Sequence, residues 1–250
     1  VIHFLSANPF SFNDIITDLD NQQKQEVHGF LTFPEDVIDG KKFPVVIGVA
    51  GSKGWSQHHL DYLEKYRQEG IATFELQSFR SRGISSTVGT QIDVTHAMMI
   101  LDSYKALEEL SAHPNVDINN VAITGWSLGG GVALFSGWLP LKEAISKELK
   151  FSAHLSLYPP CFITPELLNF TDSPMHILIG ELDNWVPADA CKDLVSDMKE
   201  NGININITIF EGAHHSFDRT TPVVVVDDAY NFSDCRLKMN KEGSVLMNFL

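Results

Sequence analysis

Short apolar runs alternate with longer amphipathic stretches along most of the chain. Pro44 to Val49 is β-branched and apolar without alternation and is followed by the glycines at Gly51 and Gly54, which predicts a strand buried on both faces. Ser56 to Glu69 predicts a helix closed by Gly70, and Ile71 to Leu76 a second strand. Ile92 to Leu110 predicts a long helix, with Val94, Met98, Leu101 and Tyr104 on one face and His113-Pro114 ending it. Val121 to Thr124 is a strand, followed by a helix from Ser127 to about Trp138. Ala153 to Leu157, stopped by Pro159-Pro160, and Met175 to Ile179 are further strands. Ala188 to Asn201 is a helix stopped by Gly202, and Ile203 to Phe210 alternates like a strand near a sheet edge. Glu26 to Phe33 fits one or two added antiparallel strands, and Ser244 to Leu250 a closing helix.

Strand alternating with helix over this length predicts an α/β fold: a mostly parallel central sheet with helices on both faces. The expectation is one domain over residues 1–250, with reactive groups at the carboxyl ends of the strands. A hydrophobic fraction of 44% and a charged fraction of 20% are ordinary for a globular chain. The net charge of −14 argues against nucleic acid or anionic membrane as a partner, because phosphates would be repelled. No C-x-x-C or H-E-x-x-H spacing occurs, so no metal site or dithiol redox site is expected. Val1 to Phe10 lacks the pattern of a signal peptide, which leaves the compartment open between periplasmic or secreted and cytoplasmic.

Against that scaffold one motif carries chemistry. Gly125-Trp126-Ser127-Leu128-Gly129 is G-x-S-x-G, set between a predicted strand and a predicted helix with a small-residue start. Such a turn lifts Ser127 out of the sheet top, and the Leu128 N–H becomes an oxyanion donor at the positive end of the helix. A serine hydroxyl needs a base. The loop Glu211 to Phe217 follows the Ile203–Phe210 strand and offers His214 and His215, between which spacing does not choose. Asp183 lies in the loop after the Met175–Ile179 strand, with Glu181, closer to the strand, as the competing acid. The order Ser, Asp, His is that of α/β-hydrolases. The second oxyanion donor should come from the loop after Val49, where the Ser52 N–H is the candidate. Trp126, beside the nucleophile, is expected to touch substrate.

These residues resemble the dienelactone hydrolase family of the α/β-hydrolases. The matching pieces are F-P-V-V-I-G-V-A-G from Phe43, S-F-R-S-R-G from Ser78, G-W-S-L-G-G from Gly125, L-I-G-E-L-D-N-W-V-P from Leu178 and G-A-H-H-S-F-D from Gly212. The resemblance picks His215, which precedes Ser216 and Phe217, and matches the acid to Asp183. It implies a carboxylic ester or lactone hydrolase that needs no metal or organic cofactor. The founding members carry a cysteine nucleophile where this chain has Ser127, and many relatives have His-Gly where it has Ala50-Gly51. The family's carboxylate-binding arginines correspond to Arg219, four residues after His215, and to Arg80 or Arg82, so the expected substrate is a small ester or lactone, with a free carboxylate if these arginines bind it and without one if they are surface or loop-bracing residues. Cys161 and Cys191 follow consecutive strands and form a candidate disulfide, which would indicate an oxidising compartment. A peptidase of the same fold and a catalytically silent binding protein are the competing functions.

Overall fold

The structure, a computed structural model, describes residues 1–34, 40–227 and 230–246. Its strands are β1 (Ile2–Ala7), β2 (Lys24–Thr32), β3 (Phe43–Val49), β4 (Ala72–Leu76), β5 (Val116–Trp126), β6 (His154–Leu157), β7 (Ile163–Pro165), β8 (Met175–Gly180), β9 (Ile205–Phe210), β10 (Leu237–Met239) and β11 (Val245–Leu246). The helices are α1 (Phe12–Asp18), α2 (Gln57–Gln68), α3 (Ser78–Ser81), α4 (His96–Ser111), α5 (Leu128–Phe135), α6 (Leu139–Ile145) and α7 (Ala188–Glu200). Eight strands form one sheet in the order β1-β2-β4-β3-β5-β6-β8-β9. From β4 to β9 every pairing is parallel, while β2 runs antiparallel to both β1 and β4. This is the α/β-hydrolase architecture.

The hydrophobic pattern explains the order of the layers. Val45, Ile47 and Val49 of β3 and Val121 and Ile123 of β5 are almost wholly buried, as residues of central strands covered on both faces must be. Helix α4 is apolar nearly all round and buries Met99, Ile100, Leu101, Tyr104 and Leu107. The strand β9 alternates and lies at the sheet edge, as its pattern predicts.

The strand expected from Val121 to Thr124 runs from Val116 to Trp126, and three helix boundaries differ from expectation, each for a local reason. Helix α4 starts at His96 rather than Ile92, because Thr95 is extended (φ −100°, ψ 165°) and its side chain accepts from the Met98 N–H as an N-cap. The helix expected from Ser127 to about Trp138 is two helices. After Phe135 the chain breaks at Ser136 and Gly137, and Pro140 sits in the first turn of α6. The closing helix expected from Ser244 is instead a hairpin as far as it is described. Asn240 accepts from the Glu242 and Ser244 N–H groups, and β11 pairs antiparallel with β10. The rest of that expectation, residues 247–250, lies outside the described residues. No helix among the described residues is long and apolar enough to cross a membrane.

Candidate active site

Ser127 stands alone between β5 and α5 with φ 55° and ψ −111°. A left-handed φ is unfavourable for a residue with a Cβ, so the turn must be imposed by its surroundings. The flanking glycines show how. A Cβ on Gly125 would lie 2.0 Å from the Gly129 carbonyl oxygen, and one on Gly129 only 2.1 Å from that of Val49. Strand β3, strand β5 and helix α5 can therefore meet at the elbow only if both positions are glycine. The loop after β3 rests on the same turn: a Cβ on Gly51 would sit 3.1 Å from the Trp126 oxygen and 3.6 Å from the Ser127 Cβ. That loop is closed by the Gly54 N–H donating to Gly51 (2.9 Å) and held by the Thr87 N–H donating to the Ser52 oxygen (2.9 Å). Neither the Ser52 nor the Leu128 N–H donates a backbone hydrogen bond among the described residues.

The loops after β8 and β9 bring the other two side chains. The His215 Nε2 lies 3.0 Å from the Ser127 Oγ, and its Nδ1 lies 2.7 Å from the Asp183 Oδ2. The Asp183 side chain is fully buried, and its other oxygen accepts from the Trp185 and Val186 N–H groups, each at 3.0 Å. The imidazole packs against the rings of Tyr158 (centroids 4.7 Å apart, edge-on) and Trp185 (4.8 Å, tilted). His214 is exposed. Glu181, the competing acid, accepts from the Gly212 N–H at 2.9 Å and so braces the histidine loop.

The remaining expectations divide. Arg219 is exposed and lines a cavity of about 520 Å³ in front of Ser127, together with Lys53, Trp185, Phe217 and Val223. Arg82 does not face this cavity. All five of its N–H donors are engaged, two with the buried Asp102 (2.7 and 3.1 Å) and the rest with Asn8, Ala7 and Ser78. It locks β1 onto α4 and has nothing left for a substrate. Arg80 is exposed on α3 outside the cavity lining, beside His28 and Glu75. Trp126 reaches the cavity at its edge, but its side chain is buried at 1% exposure, and its indole is stacked on His59 at 4.5 Å. It forms part of the floor of the site. Burial, then the neighbouring His58 and Arg219, push His59 down to about 3, so this ring is neutral. Cys161 and Cys191 are joined as a disulfide. Among the described residues, no group of His, Cys, Asp and Glu could hold a metal ion.

Trp185, Tyr158 and Asp218 also build the site without having been singled out. Trp185 and Asp218 lie inside the quoted motifs. Tyr158 precedes Pro159-Pro160, where the sequence signals only the end of a strand.

The dienelactone hydrolase family model matches residues 27–239. No curated protein matches the chain in sequence. A Klebsiella pneumoniae protein named as a dienelactone hydrolase has a similar structure, with a TM-score of 0.63 and 18% identity over 86% of this chain and 88% of that one. Thermogutta terrifontis esterase 2, in a form phosphonylated by cyclosarin, superposes with a TM-score of 0.61 and 20% identity over 83% and 85% of the two chains. Its propionate-bound form gives 0.59 and 18% over 81% and 83%. At such identities these structures speak for the fold. The family match spans most of the chain and speaks for more: the chain belongs to the dienelactone hydrolase family and, by that membership, is a carboxylic ester hydrolase.

Proposed function

We propose that the chain hydrolyses small carboxylic esters or lactones through an acyl-enzyme on Ser127, with His215 as base and Asp183 as the acid that orients it. The observation that carries this reading is the unbroken run of hydrogen bonds from Asp183 through the His215 ring to the Ser127 Oγ, at 2.7 and 3.0 Å. With Asp183 accepting at Nδ1, the Nε2 lone pair faces the serine hydroxyl and takes its proton as Oγ attacks the carbonyl. The Leu128 and Ser52 N–H groups stabilise the tetrahedral oxyanion, a contribution of roughly 3 kcal/mol for one such donor. The imidazolium protonates the leaving alcohol, and a water activated by the same ring then releases the acid. No step calls for a metal or organic cofactor. Arg219, at the cavity rim, is proposed to bind a substrate carboxylate, because a guanidinium pairs with it bidentately.

The Thermogutta esterase is phosphorylated by paraoxon and phosphonylated by cyclosarin, which suggests the test. A fluorophosphonate should label this chain once, on the peptide containing Ser127, and abolish hydrolysis of p-nitrophenyl esters in step with labelling. Ser127→Ala should neither label nor hydrolyse. Labelling at another residue, or ester hydrolysis that survives in Ser127→Ala, would refute the assignment.

A further inference from the structure

The loop that carries His215 has a second side chain turned the other way. Ser216 adopts φ 57°, and the Arg219 N–H donates back to the Ser216 oxygen at 3.1 Å, which makes a tight turn. His215 lies just before this turn and is within reach of Ser127, while Asp218 inside it is directed into the fold, where its side chain is 1% exposed. Its two oxygens have different partners. Oδ2 accepts from the Trp126 Nε1 at 3.0 Å, and Oδ1 from the Tyr158 hydroxyl at 2.8 Å. Trp126 is the residue before the nucleophile. Tyr158 carries the ring packed against His215. One buried carboxylate therefore joins the ends of β5 and β6 to the loop after β9.

We propose that Asp218 is a positioning residue for proton transfer: it anchors the histidine loop to the nucleophile elbow and fixes the Tyr158 ring that backs the imidazole. This inference rests on Ser127 and His215 being the reacting pair. Both bonds are of the strong kind, with a charged acceptor in a site closed to water. Burial first, and then the Asp218 charge, push the Tyr158 phenol far above its ordinary value, so it keeps its proton and remains the donor. The indole N–H can only donate. His58, whose Nε2 is buried without a hydrogen-bond partner among the described residues, lies 3.9 Å from Oδ1, beyond hydrogen-bond range, and burial lowers its pKa despite the opposing Asp218 charge. Proton transfer depends steeply on the Nε2–Oγ geometry, and a misplacement near 1 Å costs on the order of 10²-fold in rate.

The test compares Asp218→Asn and Tyr158→Phe, singly and together, with the parent protein. An amide has one acceptor oxygen for two donors, and phenylalanine keeps the ring while removing one of them. Asp218→Asn should lower kcat per titrated active site about 10-fold, and lower the rate of Ser127 phosphonylation by the same factor, with KM within about twofold. Tyr158→Phe should cost about 5-fold, and the double variant little more than Asp218→Asn, because the two share one bond. A merely structural role would lower the melting temperature and leave kcat per titrated site unchanged, and that result would overturn the inference. If parent hydrolysis depends on Ser127 while both single variants turn over normally, this inference alone fails. Ester hydrolysis surviving in Ser127→Ala would take it down together with the nucleophile assignment.

Discussion

Ser127 presents its hydroxyl to His215 at a cost in backbone strain. A residue with a Cβ at φ 55°, ψ −111° sits roughly 1–3 kcal/mol above a relaxed one. Glycine adopts positive φ at little steric cost, although it also raises the entropy of the unfolded chain. Ser127→Gly should therefore be more stable than Ser127→Ala by about 1 kcal/mol, with both inactive; urea titrations that rank Ala above Gly would contradict the strain argument. The arginines show that residue type alone does not assign a role. Arg82 holds a carboxylate already present in the protein, and Arg219 has an open cavity in front of it. Removing one partner of a buried pair costs roughly 3–5 kcal/mol because the other charge is stranded. Arg82→Ala should lose stability on that scale, with KM in the surviving folded fraction unchanged. Arg219→Ala should leave stability alone and raise KM for carboxylate-bearing esters while sparing neutral ones. Equal loss on both ester types would remove Arg219 from substrate binding.

Elements, not single residues, decide which loops meet. The disulfide joins the loop after β6 to α7, and Tyr158 lies in the first turn of that loop, against His215. Closing a loop of 30 residues restricts the unfolded chain by about 3–4 kcal/mol. The paired Cys161→Ser, Cys191→Ser variant should lose about that much in urea, with a smaller loss in activity below its midpoint. Intact mass of the untreated protein should show one free thiol, on Cys235, and three free thiols would contradict the bridge. The central strands were legible in the sequence, because β3 and the 121–123 and 177–179 stretches of β5 and β8 are apolar runs that lead into glycine-bearing turns; β7 and β10, of three residues each, are too short to register. The helix ends were less so. A threonine N-cap inside an apolar stretch and the Ser136-Gly137 break are decided by single hydrogen bonds and close contacts that periodicity does not register. The sequence also could not separate Arg82 from Arg219, or signal Tyr158. Those assignments depend on which elements lie beside each other: β1 beside α4, and the end of β6 beside the loop after β9.

Across the whole molecule, several histidines that take no part in the proposed chemistry hold their rings neutral. His154, in β6, is buried, and His96, at the start of α4, is half-buried with its Nε2 enclosed; desolvation lowers each to about 4, and His59 beneath the elbow falls to about 3. In the unfolded chain each would titrate near 6.5. The stability these rings confer by staying neutral is thus complete above pH 6.5 and drains away as the pH falls toward 4, because the unfolded state binds protons that the folded state refuses. Near pH 5 three such groups make stability fall by up to roughly 4 kcal/mol per pH unit, against a total of about 5–15 kcal/mol for a typical domain. The ring nitrogens support this reading. The Nε2 atoms of His96 and His154 have no hydrogen-bond partner among the described residues, so a proton added there would sit unpaired in the core. The protein should unfold cooperatively between pH 5 and pH 4, before most of its carboxylates are neutralised. Replacing His154 with Gln, which offers a neutral amide of similar reach, should shift the acid midpoint downward even if stability at pH 7.5 falls. Urea midpoints followed from pH 8 to pH 4 would test this, and a flat profile through pH 6.5 to 4 would mean that water or local opening reaches these rings in the native state.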